Sequence, residues 1–411
     1  MVKDDAEPPG VHHRPMSRPL LFLNLAHAYD HFFLLIFPTA VLALAPAWDM
    51  SYGEALAFGT AAFVTFGLGT LPAGWLGDRW SRTGLISVFF VGIGGAAILT
   101  GFAQGPVSLT LGLGLLGLFA SIYHPVGTAL VVQNAGQAGR ALGVNGVFGN
   151  LGVAAAGLVT GAIAAWLGWR AAFILPGVIA VMTGLAFARY VSPAMAEPAG
   201  ARRDARPKVE LDANAQLRTF VVIGVASLLG GIVFHGTTVA LPKIFEVRLA
   251  AVVDDLAGIG VLVSLVFALA AVAQIVVGHL LDRVGARPLL PAVALLQALC
   301  LFGAVELWGW GMLLIAVPMM LFVFGEIPIA AWLVGRYVAT SWQSRVFALQ
   351  YVLSLGVSAA VVPLIAVLYE STGGFEALFL TMAAAAVVVA AAALLLPRVR
   401  PAPAAQPAAA S

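Results

Sequence analysis

Asn24-Leu-Ala-His27-Ala-Tyr-Asp30-His31 sits in the middle of an apolar run extending from residue 19 to residue 45. Roughly 20 apolar residues suffice for a helix to cross a bilayer, and this run exceeds that. Its centre nevertheless carries a carboxylate and two imidazoles. On a helix His27 and Asp30 are three apart and His27 and His31 four apart, so all three share one face. Asn24 and Pro38 extend the same stripe in both directions. A charge at bilayer depth costs at least about 2.5–3.5 kcal/mol, so this face is expected to turn toward a bundle interior or water. It predicts a span that lines a transport cavity.

The rest of the chain agrees with a membrane setting. Of 411 residues, 61% are hydrophobic and only 10% charged, with a mean hydropathy of +0.99. A soluble chain of this size would lack the charge to cover its surface, so the composition indicates a polytopic membrane protein. The single cysteine, Cys300, excludes an intramolecular disulfide framework. Residues 1–16 are polar. The apolar run after them is too long for a signal-peptide core and lacks a small-residue cleavage site, so it is expected to stay in the mature protein.

Apolar runs between charged and Gly/Pro punctuation give twelve spans, near 19–45, 53–77, 83–103, 106–134, 141–167, 169–191, 217–243, 256–281, 287–307, 309–337, 345–369 and 375–397. With the N-terminus placed in the cytoplasm, 18 of the 21 Lys and Arg residues fall on the inner side. Only Arg170, Lys243 and Arg248 fall outside. This bias predicts two cytoplasmic termini and an even number of spans in a cell (inner) membrane. A polar stretch over 192–216 divides the spans six and six and reads as a cytoplasmic linker. The expected organisation is a cytoplasmic segment 1–18, a six-helix bundle 19–191, the linker, a second bundle 217–397, and an Ala/Pro-rich disordered tail 398–411.

The halves repeat each other. Gly74-Trp-Leu-Gly-Asp78-Arg79 recurs as Gly278-His-Leu-Leu-Asp282-Arg283 at an offset of 204, a step that also carries Pro38 to Pro242 and His31 to His235. Equivalent features fall on the same side of the membrane, as two parallel six-helix halves require.

Gly74, Leu76, Asp78, Arg79 and Arg82, with the weaker copy Gly278, Leu280, Asp282, Arg283 and Arg287, resemble the G-x-L-x-D-R-x-G-R signature of the major facilitator superfamily, with Ser81 in place of its second glycine. The resemblance covers residues 19–397. It implies an all-α fold of twelve transmembrane helices in two pseudo-symmetric bundles, with a cavity lined by spans one, four, seven and ten. It also implies a cytoplasmic gate built on the motif. Within the superfamily, Ala26-His27, Asp30, Tyr123-His124-Pro125 and Gly146-Val-Phe-Gly149-Asn150-Leu-Gly152 are similar to the fosmidomycin-resistance group of efflux carriers. Val126 and the apolar residues around Leu130 replace charges of that group, so its drug specificity is not carried over.

Of the 19 acidic residues, only Asp30 and Glu326 lie well inside a span. Asp30 is the first candidate for the proton-carrying group and Glu326 a second protonation or cationic-substrate site, because desolvation drives a buried carboxylate toward its neutral form and cationic neighbours drive it back. His27 and His31 could partner Asp30. His124, Tyr123, His235 and Asn24 are expected on the same cavity wall, and Pro328 is expected to loosen the helix at Glu326. Glycines 143, 146, 149, 152, 157 and 161 give span five a small face for close packing. Trp48, Trp166, Trp169, Trp308 and Trp310 are expected as interfacial anchors.

No Walker-type loop, HExxH, GxSxG or CxxC constellation is present, so neither a cofactor nor enzymatic chemistry is expected. The His27/Asp30/His31 set could imitate a metal site, but sulfur ligands and an acidic entry path are missing, and no metal is assigned. The sequence predicts a monomeric secondary active transporter in the lipid bilayer that moves a small organic solute, with protons as the coupling ion and efflux as the direction. Proton-coupled uptake of a small metabolite is the alternative, followed by divalent-metal export. No nucleic-acid partner is expected.

Overall fold

The computed structural model describes residues 17–134, 138–191, 211–338, 346, 349–350, 352–354 and 356–397. Most of the linker (192–210), the tail and the first 16 residues lie outside these. Among the described residues twelve helices are long and apolar enough to cross a membrane. They are α1 (Arg18–Ala47), α2 (Tyr52–Arg79), α3 (Arg82–Gly101), α4 (Pro106–Asn134), α5 (Ala138–Leu167), α6 (Trp169–Tyr190), α7 (Ala213–Arg248), α8 (Leu256–Val284), α9 (Ala286–Gly303), α10 (Gly309–Tyr337), α11 (Val352–Thr372) and α12 (Glu376–Ala393). Leu68, Leu111, Met182 and Leu314 are more than half exposed, as are many other large apolar side chains along these helices. In water each would oppose folding; in hydrocarbon they face their own kind. The chain is an integral membrane protein.

Local chemistry sets the ends. Ser51 and Glu54 form a reciprocal capping box where α2 begins, and Asp212 and Asp255 cap α7 and α8 through their side chains. Gly373, at φ 71, closes α11 in the left-handed region that a side chain would resist.

Within the first half α1 packs on α5 and α3 on α6; within the second, α8 packs on α10 and α9 on α12. Helix α5 has two tasks. A Cβ at Gly152 would lie 2.1 Å from the Ala28 carbonyl oxygen of α1, and one at Gly161 would lie 2.7 Å from the Leu256 carbonyl oxygen of α8. The small-residue face expected on span five is therefore a seam with two partners, one in each half.

The two ends of the bundle differ. At the end away from Asp78, here the far end, the halves are joined. Glu370 Oε1 accepts from the Gly53 N–H at 2.8 Å, Tyr52 and Tyr369 meet edge to face, and Lys243 lies over the Tyr52 ring. Ser264 on α8 donates to the Ala154 carbonyl and accepts from the Leu158 N–H. Gln274 and Asn150 make the last such link, at 3.2 Å. Among the described residues no hydrogen bond or ion pair joins the halves between that level and the Asp78 end, called the motif end below.

The far-end cations are internally engaged. Arg170 donates to the Gly101 and Ala103 carbonyls at the close of α3. Arg248, 2% exposed, donates to the Ala304 and Leu307 carbonyls after α9 and to Glu376. Lys243 pairs with Glu246. Two sequence expectations are corrected. Helix α10 runs unbroken through Pro328. Trp169 is 6% exposed and packs edge-on against Trp48, so it is a core residue, whereas Trp166, Trp308 and Trp310 are exposed as anchors should be.

Candidate functional site

The polar centre forms where α4 loses its regular winding. Its α-helical turns stop at Ala120, and Tyr123–Gly127 form one π-helical turn before the α-helix resumes at Thr128. Pro125 has no N–H to donate and crowds the preceding turn, so the winding relaxes around it. Gly127 makes room: a Cβ there would lie 2.3 Å from Tyr123 Cε2. The extra residue in the turn directs both Tyr123 and His124 toward α1.

Helix α1 meets them with its predicted polar face. Asp30, fully buried, places Oδ2 3.2 Å from His124 Nε2. Tyr123 stacks on His27 with ring centres 4.8 Å apart. His124 stands edge-on to both His27 and His31, at 5.4 and 5.5 Å. The imidazole within ion-pair distance of Asp30 is thus His124 of the facing helix, and His31 of its own helix lies near enough to feel the same carboxylate. Residues three or four apart on one helix point the same way, and that leaves them beside one another but directed at the next helix.

Asn145 on α5 ties the group together. Its Oδ1 accepts from the Tyr123 hydroxyl at 2.9 Å, and its side-chain N–H donates to Asn24 Oδ1 at 2.9 Å. Its backbone carbonyl lies 2.8 Å from His27 Nδ1. A carbonyl only accepts, so Nδ1 carries the hydrogen and donates. Gly149, one turn on, seats the imidazole, since a Cβ there would lie 2.7 Å from His27 Cε1. These three polar contacts of Asn145 could be found only with the α1–α4–α5 packing in hand; the sequence signal was an asparagine on a glycine-rich helix.

Asn24, His27, Asp30, His31, Tyr123 and His124 therefore form one cluster, His235 approaches it from α7 on the side of His31, and Glu326 stands elsewhere. His235 on α7 packs edge-on against Phe63 of α2 and Phe234. Glu326 is 6% exposed and faces α7, its Oε1 lying 2.6 Å from where a Cβ on Gly230 would be. That oxygen is enclosed without a hydrogen-bond partner. Tyr123 and Asn24 are buried, at 0% and 2% exposure. His27, His31 and His235 are half-buried.

At the motif end Arg82 donates to Asp78 Oδ1 at 2.6 Å across the α2–α3 turn, and Arg79 lies over Trp75. Asp78 is 69% exposed, so this pair contributes about 0–1 kcal/mol and is no lock by itself. Gly74 and Gly77 matter through packing: Cβ atoms there would lie 3.3 Å from Pro125 and 3.0 Å from Val126, inside the irregular turn of α4. In the second copy Gly278 has open space around it, and Asp282 and Arg283 are exposed.

A profile of the Major Facilitator Superfamily matches residues 20–253 and 249–411. A relative named "Probable 4-methylmuconolactone transporter" from Cupriavidus pinatubonensis (strain JMP 134 / LMG 1197) is 30% identical over 118 residues. That stretch is 28% of this chain and 28% of the relative. Among solved structures, a bacterial homolog of the human lysosomal transporter Spinster, inward-facing and occupied, aligns with a TM-score of 0.70 at 16% identity, over 93% of this chain and 95% of that one. A POT family transporter in complex with 5-aminolevulinic acid gives 0.74 at 11% identity, over 91% and 94%. At such identities the likeness is one of fold.

Proposed function

The chain belongs to the Major Facilitator Superfamily, a membrane transporter rather than an enzyme, and from that premise we propose that it exports a small organic solute in exchange for protons. The two halves rock about the central cluster, exposing it to one side of the membrane at a time. Glu326 carries the coupling proton. The observation that supports this is its enclosure in α10 with Oε1 unpartnered. A carboxylate held so without a cation beside it is costly as an anion, so the residue holds a proton while enclosed and gives it up when its side opens to water.

Asp30, His27, His31, His124 and His235, with Asn24 and Tyr123 behind them, make up the solute-binding wall. The likeness of Ala26-His27, Asp30 and Tyr123-His124-Pro125 to the fosmidomycin-resistance group supports efflux. The relative named for 4-methylmuconolactone supports a small metabolite as cargo. With the basic end in the cytoplasm of a cell (inner) membrane, the joined far end is outside and the conformation described here is inward-facing. The motif Gly74, Asp78, Arg79 and Arg82, with Gly278, Asp282, Arg283 and Arg287, then lies at the mouth that closes in the other half of the cycle. A monomer with two cytoplasmic termini suffices for this mechanism.

Proteoliposome flux under an imposed pH gradient tests the reading, with 4-methylmuconolactone as the first probe in a panel of small organic acids and lactones. The wild type should move solute against the proton gradient, and reversing the gradient should reverse the flux. Glu326→Gln should keep solute-induced thermal stabilisation while losing at least tenfold in gradient-driven flux. Unchanged coupled flux in that variant removes Glu326 from the role, and a wild type indifferent to the gradient removes proton coupling altogether.

A further inference from the structure

We infer that His27, His31 and His124 bind one divalent transition-metal ion of the zinc type. One ring nitrogen from each of the three lies within 4.8 Å of the other two. Zinc–imidazole bonds of about 2.0–2.1 Å place tetrahedral donors roughly 3.4 Å apart, so a shift of about 1 Å per donor closes the set. His31 is half-buried and leaves the ion a way in.

The second observation is the way His27 is held. Its Nδ1–H donates to the Asn145 carbonyl oxygen at 2.8 Å, which fixes the tautomer and leaves the lone pair on Nε2. That nitrogen is enclosed with no hydrogen-bond partner. Metal-ligating histidines are arranged in this way, one nitrogen tied back to an acceptor and the other aimed at the ion. Asp30, with Oδ2 3.2 Å from His124 Nε2, stands as a carboxylate behind a second ligand and supplies negative charge next to a dication. Both of its carboxylate oxygens are enclosed without a hydrogen-bond partner.

Three imidazoles select zinc, copper, nickel or cobalt over magnesium or calcium, which prefer oxygen. They also leave a four-coordinate ion with one position to fill. Among the described residues no lysine or arginine lies in this cluster, so a bound ion would be the cationic anchor for an anionic solute. The sequence offered His27, Asp30 and His31 as a triad. The fold exchanges Asp30 for His124 as ligand and moves the carboxylate behind it. The inference is independent of proton coupling at Glu326, and either can fail without the other.

The test uses the purified full-length chain in detergent, stripped with chelator and titrated with Co2+ and then Zn2+. The expected result is one Co2+ per chain with the visible absorption of a four-coordinate nitrogen-ligated ion, displaced by one equivalent of Zn2+. His31→Ala and His124→Gln should each weaken binding at least tenfold, while His279→Ala, at the motif end, should bind as the wild type does. Absence of stoichiometric binding, an octahedral cobalt spectrum, or full affinity in the triple variant of His27, His31 and His124 would overturn the assignment. The wild-type spectrum needs no variant, so the test survives if a substitution unfolds the chain.

Discussion

Gly127 has space for a hydrogen and not for a methyl group. In Gly127→Ala the new carbon would meet Tyr123 Cε2 at 2.3 Å and Cδ2 at 2.6 Å. The ring cannot retreat, because it is fully enclosed, stacked on His27 and bonded to Asn145. The variant should lose about 1–3 kcal/mol, read as a lowered thermal midpoint in detergent. A wild-type midpoint would mean that the irregular turn is softer than its packing indicates. At this scale the sequence yielded which residues matter and not whom they meet. Asp30 and His124 both stood out as polar groups in hydrocarbon, but their pairing depends on one π-helical turn that no apolar periodicity records.

Among the elements, α5 is the one whose small residues divide their labour. Gly149 and Gly152 admit α1 of the same half, whereas Gly157 and Gly161 admit α8 of the other. Bulk in the first pair should damage folding, since it forces apart two helices of one bundle. Bulk in the second pair acts between bundles. Gly161→Val should therefore leave insertion and yield intact while separating the far ends of α5 and α8. Spin labels on those ends, measured by electron–electron double resonance, should show a longer distance than in the wild type. An unchanged distance would assign that part of the seam to passive contact. The glycine spacing was readable from residue numbers alone; the presence of two partners was not, because spacing says nothing of which helix lies opposite.

For the whole molecule, the twelve spans and the two matched halves followed from run lengths, basic bias and an offset of 204 between motif copies. These signals are coarse and repeated, so they survive errors of several residues at any boundary. The state of the molecule left no such trace. On the proposed alternating-access cycle the same sequence also forms the opposite arrangement, and which end is joined then rests on contacts a few kcal/mol apart. Glu370 with the Gly53 N–H and Gln274 with Asn150 are among those contacts. Weakening the first by Glu370→Gln should shift the population toward a far end open to solvent, seen as faster labelling of a cysteine placed at Met50.

Arg170 and Arg248 were the arginine exceptions to the basic bias, and the structure gives each a prior engagement: carbonyl oxygens at the close of the third helix of its own half. A guanidinium held that way closes a corner and is a poor retention signal during membrane insertion. Exchanging Arg248 for glutamine should accordingly leave the orientation of reporter fusions as it was, while the corner of α7, α9 and α12 gives up about 1–3 kcal/mol. Topology and corner strength in this chain can then be edited separately, which makes the far-end arginines the place to alter heat resistance without turning the protein over in its membrane.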